Sequence, residues 1–95
     1  MTNLVVKNNL IALVGSGTAT AQLNVAVGNN DTVTAGNYVS MSAGANDVIT
    51  LGDYGVVVTG NHSDASASDN DLLVVGNNDS VVAGNNDTII AGNND

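Results

Sequence analysis

The chain has no cysteine, proline, glutamate, phenylalanine or tryptophan. Without cysteine there is no disulfide framework, no thiolate metal site and no cysteine nucleophile. Lys7 is the one basic residue other than a histidine, set against nine aspartates, and the net charge of -8 excludes a basic nucleic-acid surface. Tyr38 and Tyr54 are the only aromatics. Helix formers such as Glu, Lys and Gln are absent or occur once, which argues against a helical bundle. No apolar run approaches the ~20 residues of a membrane span.

What remains is rich in Val, Ala, Leu and Ile, with 16 Asn and 11 Gly in 95 residues. At 43% apolar the composition is too hydrophobic for an acidic disordered tail and sufficient for one small core. Val, Thr, Asn, Asp and Gly favour strands and turns. From residue 28 the chain falls into octads: GNNDTVTA, GNYVSMSA, GANDVITL, GDYGVVVT, GNHSDASA, SDNDLLVV, GNNDSVVA, GNNDTIIA and a final GNND. Glycine opens every octad except the one at Ser68.

Gly-Asn-Asn-Asp reads as a turn, with Gly and Asn suited to positive φ. The other half reads as a four-residue strand whose sixth and eighth positions point inward: Val33, Met41, Ile49, Val57, Leu73, Val81 and Ile89, beside small Ala35, Ala43, Ala67, Ala83 and Ala91. One turn plus one strand per octad predicts an all-β, parallel β-solenoid, β-roll-like, with two octads and about sixteen residues per coil. Tyr38 and Tyr54 are sixteen apart at the same octad position and should stack. A three-stranded helix of twenty-four residues per coil is the alternative, and it would separate them. At ~4.8 Å per coil, residues 28–95 make a solenoid of ~20 Å.

Residues 1–27 follow the pattern poorly and are expected to form a degenerate N-terminal cap or strand segment, since terminal repeats are atypical. Lys7-Asn8-Asn9 followed by Leu10–Val14 resembles a worn octad, and Leu23–Val27 a short strand. Lys7, the apolar run and Ala19-Thr20-Ala21 also read as a signal-like segment.

The octads at 28–35, 76–83 and 84–91 resemble RTX repeats, the haemolysin-type calcium-binding nonapeptides G-G-x-G-x-D-x-U-x, shortened by one turn glycine. The resemblance covers residues 28–95. It implies a parallel β-roll from a secreted bacterial protein, located outside the cell or on its surface. Calcium would then be an optional ligand between turns, held by Asp31, Asp47, Asp71, Asp79, Asp87 and Asp95. Without the ion these carboxylates are expected to splay into water, ~5 Å from their neighbours in each column.

The third octad position forms two further columns, Asn30, Asn46, His62, Asn78 and Asn94 on one corner and Tyr38, Tyr54, Asn70 and Asn86 on the other. Stacked amides there are expected to bond along the axis. His62, with no second His and no Cys, makes neither a metal site nor a catalytic base, so an enzyme is not expected and no cofactor is required.

Of the two outer faces, one is mostly polar; its threonine row, Thr34 and Thr50, breaks at Ser66 and Val82, too irregular for an ice-binding surface. The other carries Val56, Val58, Leu72, Val74 and Ile90, an apolar face suited to self-association unless residues 1–27 cover it. The last strand, Thr88, Ile89, Ile90 and Ala91, offers unpaired backbone with no Pro or Lys to blunt it. The expected function is therefore structural. Subsets of the same surface would meet copies of the chain head-to-tail in a filament or laterally through the apolar face, as an extracellular, functional-amyloid-like fibre with no nucleic-acid partner. The rival is the calcium-binding roll module.

Overall fold

The computed structural model describes residues 2–95, and every regular element among them is a strand. In chain order these are β1 (Thr2–Val6), β2 (Ile11–Val14), β3 (Leu23–Val27), β4 (Thr32–Ala35), β5 (Val39–Ser42), β6 (Val48–Thr50), β7 (Val56–Val58), β8 (Asp64–Ser66), β9 (Leu72–Val74), β10 (Ser80–Val82) and β11 (Thr88–Ile90). Odd strands form one six-stranded sheet in the order β1-β3-β5-β7-β9-β11, and even strands a five-stranded sheet, β10-β8-β6-β4-β2. All pairs are parallel. Ser40 faces Val56, which faces Leu72, so one coil is sixteen residues, as the tyrosine spacing predicts. The two sheets pack as a flat solenoid with Cα extents of 35 × 31 × 15 Å.

The corner that turns one sheet into the other rests on a single residue. Every third octad position has a left-handed backbone, from Asn30 (φ 62°) to Asn94 (φ 63°), and no glycine has positive φ. Asparagine tolerates this region because its short side chain bonds locally. The glycines serve close approach instead, which corrects the expectation of a conformational role. A Cβ on Gly44 would sit 2.6 Å from the Gly28 carbonyl oxygen, and one on Gly60 2.8 Å from that of Gly44. Glycine stacked on glycine lets successive corners close to sheet spacing, and their backbones bond directly, Gly60 N–H to the Gly44 carbonyl at 2.7 Å.

After each left-handed residue the chain is already on the next wall, so the fourth position points inward along with the sixth and eighth. The core therefore holds Val33, Ile49 and Ala65 from one sheet and Met41, Val57 and Leu73 from the other, with Val39, Leu51 and Val75 beside them, all buried. Residues 2–27 contribute strands to both sheets rather than lying across a face. β1 pairs β3 and β2 pairs β4 at an offset of twenty-one residues, Thr2 to Leu23 and Ile11 to Thr32. The extra five residues protrude at one corner, where Thr18 and Ala21 close a tight turn on each other.

Candidate functional site: corners, outer face and edge

Two side-chain ladders lock each coil to the next, and they run in opposite directions. From the second octad position a side-chain oxygen reaches forward to the following coil. Asn29 Oδ1 accepts the Ala45 amide, Asn61 Oδ1 that of Asn77, and Asn77 Oδ1 that of Asn93, each at 2.8 Å. On the opposite corner Asn37, Asp53 and Asp69 accept from Asp53, Asp69 and Asn85. From the fourth position an aspartate reaches backward. Asp47 Oδ1 accepts the Asp31 amide at 2.8 Å, Asp79 Oδ1 that of Ser63 at 2.6 Å, and Asp95 Oδ1 that of Asp79 at 2.8 Å. Asp71 and Asp87 do the same for Gly55 and Asp71.

Two expectations are corrected here. The aspartates do not splay into water: Asp31 and Asp47 are 1% exposed, Asp71 and Asp79 are buried, Asp87 is half-buried and Asp95 alone is exposed. The cause is the left-handed residue before each one, which turns the carboxyl into the core. Nor do third-position amides bond along the axis. Asn30, Asn46, Asn70, Asn78, Asn86 and Asn94 have exposed side chains, and the axial amide bonds belong to the second position, which no sequence expectation had singled out. The signal was present, since the second position is Asn or Asp in nearly every octad. The tyrosines do stack, centroids 5.1 Å apart and rings within 7° of parallel.

The interior carboxyls are only half satisfied. Oδ2 of Asp31, Asp47, Asp71, Asp79 and Asp87 is buried without a hydrogen-bond partner. Burial pushes the Asp47 carboxyl above the ordinary carboxylate range and the neighbouring Asp31 charge adds to this, outweighing the amide bonds from Asp31 and Asn30. Asp71 is raised in the same way, by burial first, against the Gly55 amide and with Asp87 and Asp53 adding to it.

This donor set does not fit calcium, which takes about six to eight oxygens. One oxygen of each interior carboxyl already accepts an amide. The turn carbonyls are also engaged: Ala45 O accepts from Asn30, Asn61 O from Asn46, and Asn77 O from His62. What each interior aspartate has left is one buried oxygen.

The outer face of the six-stranded sheet has two rows, Asn3-Asn24-Ser40-Val56-Leu72-Thr88 and Val5-Ala26-Ser42-Val58-Val74-Ile90. Val58 is 43% and Ile90 57% exposed, while Val56, Leu72 and Val74 are half-buried. Residues 2–27 extend this face through Val5 instead of covering it. On the five-stranded sheet Ile11 and Leu13 of β2 are nearly fully exposed, an apolar patch the sequence reading did not flag. β11 pairs only with β9, and Thr88, Ile89, Ile90 and Ala91 are exposed. No helix among the described residues is long and apolar enough to cross a membrane. Comparison with family models, with curated proteins and with solved structures finds no match for this chain.

Proposed function

We propose that the chain is a non-catalytic structural protein whose solenoids associate with copies of themselves into an extracellular fibre, functional-amyloid-like in its cross-β bonding. The observation that carries this reading is the translational self-complementarity of a coil. Coils send second-position oxygens forward and, where the fourth position is aspartate, oxygens backward, and they meet their neighbours through parallel ladders. A forward coil face left unpaired therefore offers second-position oxygens and a parallel strand edge to the backbone of another copy's first coil, where Leu10 stands in the aspartate register, and head-to-tail contacts of that kind propagate. The apolar rows through Val58, Val74 and Ile90 supply a second, lateral contact. The non-catalytic part rests on the polar residues themselves: Ser63 Oγ accepts the Asp47 amide and the aspartates brace backbone.

The test is electron microscopy and fibre diffraction of the purified chain, with and without a calcium chelator. Thin fibrils with a ~4.8 Å axial reflection in both conditions are expected. The doubly charged variant Val58→Lys/Val74→Lys should give thinner, unbundled fibrils with the same reflection. A wild-type chain that stays monomeric by light scattering at high concentration refutes the proposal, and folding only when calcium is present supports the roll module instead.

A further inference from the structure

The third octad position requires a left-handed backbone, and tyrosine is poorly suited to it. For a bulky side chain this region costs roughly 1–2 kcal/mol. Yet Tyr38 (φ 57°) and Tyr54 (φ 59°) occupy it in consecutive coils, where six other octads use asparagine. Strain repeated at two neighbouring positions points to a role for the rings. Tyr38 presents one face to Tyr54, and the Ala19–Gln22 stretch of the protruding turn lies beside it. Tyr54 is different. It is 49% exposed, the next residue in its column is Asn70, and no second ring stacks on it. The result is an aromatic ledge at the head of a groove of about 450 Å³ along the solenoid axis. One wall is Tyr54, Asn70 and Asn86; the other is Val56, Leu72 and Thr88.

The chemistry of these walls selects the occupant. There is no cation in the groove, and the chain carries -8, so anionic ligands and nucleic acids are repelled. Asp71 in the floor is buried, with Oδ1 on the Gly55 amide and Oδ2 without a partner. What is offered is an exposed aromatic face, an aliphatic wall and a row of side-chain amides and a hydroxyl, repeating at coil spacing. An aromatic face attracts polarised C–H groups, and amides bond hydroxyls as donor and acceptor. We infer that this groove binds a neutral linear glycan lying along the solenoid axis, with a sugar ring on the free face of Tyr54 and its hydroxyls on Asn70, Asn86 and Thr88. This goes beyond self-assembly and does not depend on it.

The chain has no tryptophan, so tyrosine fluorescence reports on the site directly. Cellohexaose and chitohexaose are titrated into the chain kept below its assembly concentration, followed by emission and by calorimetry. Saturable change with at least one of them is expected. Tyr54→Asn restores the residue this backbone prefers, so it should fold with an unchanged circular dichroism spectrum and lose binding at least tenfold, while Tyr38→Asn weakens it less. No saturable response to either sugar overturns the inference. So does undiminished binding by Tyr54→Asn, or a Tyr54→Asn chain that fails to fold, which would make the ring a structural element.

Discussion

Acid should stabilise this fold, contrary to the usual loss of stability in acid of proteins with paired carboxylates. Asp47 and Asp71 have folded-state pKa values above their ordinary value, so the fold favours their neutral form. Their contribution is fully present below the unfolded carboxylate range, about 4. It declines as pH rises from there through the raised folded values, because the unfolded chain then releases protons that the folded chain retains. No basic side chain offsets this inside: Lys7 and His62 lie at corners and are exposed, and the groups facing Asp47 and Asp71 are Asp31, Asp53, Asp87 and uncharged side chains.

Asp47→Asn isolates the effect. It keeps the Oδ1 acceptor for the Asp31 amide and removes the charge. Ionised neighbours in the column, ~5 Å apart at sheet spacing, repel by ~3 kcal/mol at an effective dielectric of 20. Against this, the new amide leaves an unpaired buried donor that costs about 1–3 kcal/mol. A net gain of roughly 1 kcal/mol at pH 7 follows, or ~4–8 °C in Tm for a domain of this size. At pH 3 the repulsion is gone and the protonated Asp47 carries a buried donor of its own, so the variant should be equal to wild type or slightly less stable. The measurement is thermal unfolding by circular dichroism from pH 3 to pH 8 for both chains. A wild-type Tm that rises between pH 4 and pH 7, or a variant destabilised equally at pH 3 and pH 7, refutes the reasoning.

Two further perturbations test the packing. Leu73 is fully buried between β7 and β11, so Leu73→Ala should cost about 2–5 kcal/mol and lower the denaturant midpoint with little change in slope. Gly60→Ala would place its Cβ 2.8 Å from the Gly44 carbonyl oxygen, and backbone cannot yield as a side chain can. Its expected outcome is a lower Tm and weaker hydrogen-exchange protection at the Gly60 amide, which now bonds Gly44; unchanged protection would show that the corner relaxes freely.

The architecture was legible because the repeat encodes it twice, in the alternation of x-U-x-A and in the sixteen-residue recurrence of tyrosine. Legibility failed at the corner. The strands do begin after the aspartate, at Thr32, Val48, Leu72, Ser80 and Thr88, but the left-handed residue before it already turns the aspartate inward. Val39 was the available clue: a valine in the aspartate column is ill-suited to a solvent-facing turn and natural for an inward position. Buried aspartate is rare enough that composition argues for exposure, and only the amide from the neighbouring coil, a contact between residues sixteen apart, reverses that. The twenty-one-residue first coil was hidden for a similar reason. Five added residues at 18–22 break the periodicity in sequence but sit outside the sheets, leaving register intact.

The missing aspartates and the tyrosines occur together. On one corner the fourth position is Val39, Gly55, Asp71 and Asp87, so Gly55 gives the Val39 amide no side-chain acceptor, while Asp71 serves Gly55 and Asp87 serves Asp71. The gap in the inner ladder falls between the coils whose third positions are Tyr38 and Tyr54. A stacked aromatic pair is worth about 0.5–1.5 kcal/mol beyond its buried area, comparable to the ~1 kcal/mol of a typical hydrogen bond. The ring stack outside thus replaces the carboxyl link inside, and it does so without adding charge to the interior. That accounts for one face of each ring and for the strain at Tyr38. It leaves the second face of Tyr54 unexplained by folding, because the coil beyond it already has its aspartate. The surplus aromatic surface lies where the inner ladder resumes, at the head of the axial groove.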